Sequence, residues 1–133
     1  MCIRDRYRVI VWDDREDIIS TFTGEGETLT GDLSTAIQME PIDEHTRVVI
    51  VTRNAEVDSK VLPMIVETPA AYIGLMGSSQ RWKVVRNQLI DSGMSTKELE
   101  RIATPIGIEI AAESPEEIAV SILAEVIAGD NLP

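Results

Sequence analysis

The sequence predicts an α/β domain built on a doubly wound parallel sheet. Three observations predict it. Short apolar runs stand at residues 7–12 (YRVIVW, β-branched at its centre), 47–52 (RVVIVT) and 70–75 (AAYIGL). Stretches with helical spacing separate and follow them, and the chain is punctuated by Gly, Pro and Asp where one type of element gives way to the next. Strands alternating with helices require a parallel sheet with helices on its faces. The 133 residues suit one domain, and a single domain over residues 7–133 is expected, without an internal repeat or a linker.

The elements follow in order. Residues 1–6 (MCIRDR) lack periodicity and run straight into the first strand. They resemble a translated adapter remnant, so a non-native start is expected, with the natural protein beginning further upstream. Asp13-Asp14-Arg15 stops the strand at 7–12, and a brief helical turn follows over 15–22. Residues 24–27 read as a loop and Thr28-Leu29 as a weak strand; Asp32 or Ser34 caps a short helix through Gln38. The strand at 47–52 is apolar almost throughout, as expected of a strand buried on both faces. Val57, Val61, Leu62, Ile65 and Val66 form a helical stripe with Asp58 supporting its N-terminal end, and Pro63 predicts a kink or an early break. After the strand at 70–75, a helix over 79–91 buries Trp82, Val85 and Leu89 and stops at Gly93. Ser95 and Glu98 form a capping box that opens a short helix to about Ile102. Residues 104–112 read as a loop or irregular strand. Ser114 as N-cap, Pro115 at the first helical position and Glu117 three residues after the cap then open a last helix, ending near Gly129.

Composition narrows the function. Apolar residues make up 44% and charged residues 26%, the balance of a globular chain. A net charge of −11 repels phosphate backbones and argues against nucleic-acid binding, although local N–H groups can still hold a small anion. No run is long and apolar enough to span a bilayer, so no membrane role is expected. The single cysteine, Cys2, excludes a disulfide framework, and the single histidine, His45, reads as a solvated loop residue. A reducing cytoplasm is the expected compartment. There is no nucleophile–base–acid constellation and no metal-ligand set, so neither catalytic nor metal-binding residues are assigned.

Ligands of open α/β sheets bind beyond the carboxyl ends of the strands, here at Asp13, residues 52–54 and residues 74–79. Asp13 would end the second strand of a dinucleotide-binding fold, where an acid accepts from ribose hydroxyls; spacing alone leaves a plain strand-ending turn equally open. Asp14 and Arg15 read as a solvated pair. Gly74, Gly77, Ser78 and Ser79 form a strand-to-helix junction that reads either as a capped tight turn or as an anion nest, to which Arg81 would add a charge-assisted bond. Pro105 and Gly107 belong to an apolar loop that is a tight turn or folds back over the strand ends. Trp12 and Trp82 read as core.

Several of these segments together resemble one family. AYIGLMGSSQRW, followed by TPIGIEIAAESPEEIAVSILAEVIA, is similar to the XdhC/CoxI family of xanthine dehydrogenase accessory proteins, and VIVWDDRED resembles that family's second strand. The resemblance covers residues 7–129. It implies a Rossmann-like domain that in the family follows a cysteine-bearing amino-terminal domain. It also implies binding of molybdenum cofactor, support of its sulfuration, and delivery to molybdenum hydroxylases such as xanthine dehydrogenase. A cysteine desulfurase partner and a homodimer of the full-length protein go with it. Ligand contact is carried onto Asp13, Gly74, Gly77, Ser78, Ser79, Pro105 and Gly107. Two departures stand out: Ser79-Gln80 precede Arg81 where the family places basic residues at once, and the first strand with its glycine turn is missing. A 3-2-1-4 order without its central strand predicts an unpaired sheet edge and a chain that is marginally stable on its own. The alternatives are an NAD(P)-dependent dehydrogenase half that uses Asp13 on the ribose, and a nucleotide-sensing regulatory domain.

Overall fold

A computed structural model describes residues 7–131; the expectation for residues 1–6 lies outside them. The chain divides into two compact units at Pro41/Ile42.

The first unit holds β1 (Ile10–Asp13), α1 (Glu16–Ser20), β2 (Glu27–Thr30) and α2 (Leu33–Met39). The β-branched run of β1 pairs in parallel with β2, Ile10 opposite Glu27 and Asp13 opposite Thr30. The weak strand expected at Thr28-Leu29 is therefore a full partner. Asp32 is the residue that caps α2, accepting from the Thr35 amide at 3.2 Å. The unit has little core. Ala36 is its buried apolar residue, while the Arg8 guanidinium ties Glu27 to Glu40 at the surface.

The second unit holds β3 (Arg47–Ile50), α3 (Ala55–Val66), β4 (Tyr72–Leu75), α4 (Ser79–Asp91), α5 (Thr96–Leu99), β5 (Ile102–Ala103) and α6 (Pro115–Asn131). Its three strands are parallel in the order β3-β4-β5. Strand alternation puts Ile50, Ile73, Leu75 and Ile102 on one face, and all four are buried. Helices α3 and α4 pack together and bury Val61, Leu62, Ile65, Val85 and Leu89. Arg101 closes the carboxyl end of α3, donating to the carbonyls of Val66 (2.6 Å), Thr68 (3.1 Å) and Ala70 (3.0 Å).

Several expectations are corrected. The early break offered at Pro63 does not occur: helix α3 runs through it to Val66, one lost ladder bond being outweighed by a turn that buries Val61, Leu62, Ile65 and Val66. The strand at 47–52 is not buried on both faces: Val49 is 42% and Val51 61% exposed. β3 is the edge of its sheet, and the residue opposite Val49 is Gly74, which has no side chain to cover it. Ile102 leaves the helical segment and pairs with Ile73. A two-residue strand is too short to show a period in sequence. Trp82 is half-buried, outside the tight core of Val85 and Leu89. Helix α6 continues past Gly129 to Asn131, which costs only the glycine's modest propensity penalty.

The unpaired edges are visible. β1 in its sheet and β3 in its own each have a paired neighbour on one side only among the described residues.

Candidate functional site

The carboxyl rim of the second unit is built from two strand-to-helix turns. After β3, residues 52–54 lead into α3, and Asn54 caps it by accepting from the Val57 amide at 3.0 Å. After β4, Met76 and Gly77 lead into α4, and Ser78 caps it by accepting from the Arg81 amide at 3.1 Å. Both turns thus end at a helix start whose first amides point away from the helix body.

Arg81 joins the two turns. Its Nε donates to Asp58 Oδ2 at 2.7 Å, and its Nη2 donates to the Thr52 hydroxyl at 2.7 Å and the Thr52 carbonyl at 3.2 Å. The Thr52 hydroxyl in turn donates to Asp58 Oδ1. Asp58 is fully buried, so a carboxylate, a guanidinium and a hydroxyl satisfy one another beneath the rim. Gly77 makes room for this: a Cβ there would lie 3.3 Å from Arg81 Cδ.

The sequence candidates therefore separate. Gly77, Ser78, Ser79 and Arg81 share the rim, but the charge of Arg81 is already balanced by Asp58. The donors that the rim presents include the first-turn amides of α4 and the Ser79 hydroxyl. Gly74, Pro105 and Gly107 meet elsewhere, on the sheet face opposite the α3–α4 core. A Cβ on Gly74 would stand 2.5 Å from Ile106 Cδ1, and one on Gly107 2.4 Å from Ser121 Oγ. These glycines let the loop after the cis Thr104–Pro105 bond lie on β4 and against α6. Glu125 of α6 fastens the loop, accepting from the Gly107 amide at 2.9 Å and from the Tyr72 hydroxyl. Burial, and then the Glu125 carboxylate, push the Tyr72 hydroxyl well above its ordinary pKa, so it stays protonated.

Asp13, in the first unit, ends β1. The Arg15 amide (2.9 Å) and Nε (3.0 Å) donate to its Oδ1, and Arg15 Nη2 donates to Oδ2 at 3.0 Å. The guanidinium holds the Asp13 carboxyl down at about 2. Arg15 thus turns to Asp13.

Asp58 and Glu125 were missed by sequence reasoning. Asp58 read only as a helix-start charge, and its partner Arg81 is 23 positions away. No local spacing signals such a contact. Among the described residues no group of His, Cys, Asp and Glu is arranged to hold a metal, and no helix is long and apolar enough to cross a membrane.

The parallel strands and the helix starts at the carboxyl rim define a Rossmann-like domain. Comparison with known families agrees: residues 3–126 match the family described as the XdhC Rossmann domain, and the chain belongs to that family. It is 33% identical over 96 residues to YqeB of Escherichia coli K12, spanning 72% of this chain and 17% of that protein. It is 36% identical over 83 residues to a probable xanthine dehydrogenase subunit of Bacillus subtilis 168, spanning 62% and 23%. It is 30% identical over 95 residues to the molybdenum cofactor insertion chaperone PaoD of Escherichia coli K12, spanning 71% and 30%. A crystal structure of a Bacillus halodurans protein described as a xanthine dehydrogenase superposes with a TM-score of 0.71 at 27% identity, covering 93% of this chain and 35% of that one. The chain thus spans less than a third of each of these curated relatives.

Proposed function

We propose that this domain binds molybdenum cofactor and serves its maturation, supporting sulfuration of the cofactor and its insertion into a molybdenum hydroxylase of the xanthine dehydrogenase type. The observation that carries the reading is the 30% identity to PaoD, named as a molybdenum cofactor insertion chaperone, across 71% of the chain. The rim supports it. Oriented amides at the start of α4 and the Ser79 hydroxyl suit the terminal phosphate of a phosphorylated pterin. They offer hydrogen bonds and no reacting group, so the domain holds the ligand and leaves its bonds unchanged. In the cell the protein would act in the cytoplasm, as a homodimer when full length, with a molybdenum hydroxylase as client and a cysteine desulfurase as sulfur donor.

An NAD(P)-binding role is the competing reading. It would draw on Asp13, both of whose oxygens already accept from Arg15. Titration of the full-length protein with molybdenum cofactor released from a molybdoenzyme, and separately with NAD, tests the choice. Saturable binding of the cofactor is expected. Saturable NAD binding without cofactor binding would overturn it.

A further inference from the structure

A cleft of about 220 Å³ opens on the α5–β5 side of α4, lined by Trp82, Arg86, Glu100 and Thr104 above buried Leu99 and Ile102. Two of its walls carry opposite charges that do not meet. The Arg86 guanidinium and the Glu100 carboxylate form no ion pair or hydrogen bond with each other or with any other described residue, and neither does the Trp82 indole N–H. Arg86 is half-buried and Glu100 exposed, in a chain of net charge −11. Arg86 is fixed on α4 while Glu100 ends α5, and the gap between them is the cleft.

A ligand that fills this gap must donate at one end of an edge, accept at the other, and present a flat face to an indole. We propose that the cleft takes a fused heterocycle carrying an amino-oxo-pyrimidine edge, the chemistry shared by pterin and guanine. The exocyclic amino group and the adjacent ring N–H donate to the two Glu100 oxygens. The ring carbonyl accepts from Arg86, and the ring lies against Trp82. Adenine is disfavoured because its edge puts an acceptor where Glu100 needs a donor.

The location links the cleft to the rim. Ser79, Trp82 and Arg86 stand at i, i+3 and i+7, one face of α4. At a rise of ~1.5 Å per residue the face runs about 10 Å from the helix start to Arg86, the span of a ring with a phosphorylated side chain. The inference rests on the proposed function in assigning the ring to the same molecule whose phosphate meets the rim.

Heteronuclear NMR of the indole N–H resonances tests it, with Trp82 assigned through Trp82→Phe. Trp12, whose Nε1 donates to the Gly31 carbonyl at 3.2 Å, is the internal reference. On titration with hydroxymethylpterin or guanosine the Trp82 resonance shifts to saturation while Trp12 stays, and adenosine moves neither. Glu100→Gln and Arg86→Ala each weaken binding at least tenfold while the rest of the spectrum keeps its folded dispersion. A Trp82 resonance that neither pterin nor guanosine moves overturns the proposal, as do unchanged affinities in both variants or equal binding of adenosine. Intact molybdenum cofactor that binds without moving Trp82 defeats the cleft and leaves the proposed function standing. Pterin that moves Trp82 in a protein unable to bind the cofactor defeats the function and leaves the cleft.

Discussion

The two units differ in what holds them. In the second, fourteen of the buried apolar residues gather around a three-stranded sheet, and a buried Arg81–Asp58–Thr52 cluster ties two helix starts together. In the first, among the described residues, a two-stranded sheet and two short helices bury Ala36 alone, and the side-chain ties include surface ion pairs from Arg8 and Arg15 and the Trp12 bond to the Gly31 carbonyl. A two-stranded sheet is marginal in water, and exposed ion pairs contribute little. The contrast teaches that equal fidelity to an α/β pattern does not give equal stability. The amount of surface that a segment can remove from water does.

The largest expected effect strikes the second unit. Arg81→Ala strands the buried Asp58 without its cation, and chemical denaturation should show a loss of about 3–5 kcal/mol. Arg81→Lys keeps the charge without the fork of donors and should fall between. A loss no greater than that of a surface arginine would mean that the cluster does not hold the rim.

Next in size is Gly74→Ala. The new methyl would enter the space of Ile106 Cδ1, and overpacking of this kind costs roughly 1–3 kcal/mol. Hydrogen exchange should localise the loosening to residues 104–108. Loosening at the rim turn 76–79 instead would tie Gly74 to that turn and not to the 104–108 loop.

The smallest effect belongs to the first unit. The Asp13 carboxyl titrates at about 2 beside Arg15, below its ordinary 3.8. A depressed carboxyl pKa contributes stability above the ordinary value and loses it as the pH falls through the lower one. Carboxyl NMR should find the midpoint near 2 and return it towards 3.8 in Arg15→Ala, with little change in denaturation midpoint at neutral pH. A midpoint that stays low in Arg15→Ala would show that another group holds Asp13.

Much of the fold was legible because its signals are local. The capping box of Ser95 and Glu98 and the Ser114–Glu117 box both stand where the side chains announce them, since a cap involves residues three apart. The apolar runs located β1, β3 and β4 for the same reason. The site was legible only in part. Ser78 and Ser79 do open α4 at the rim. Gly74 and Gly77 are near neighbours in sequence, yet they serve different surfaces of the sheet: one admits Ile106, the other Arg81.

By itself the sequence determined the alternation of parallel strands and helices, the helix starts and the family, because each is written in spacing or in residues that lie near one another along the chain. Only the tertiary structure decided that Arg81 answers to Asp58, that Ile102 joins the sheet, and that Trp82, Arg86 and Glu100 share a cleft. Those outcomes depend on elements meeting in space, and a side chain's partner across the fold leaves no period in the chain.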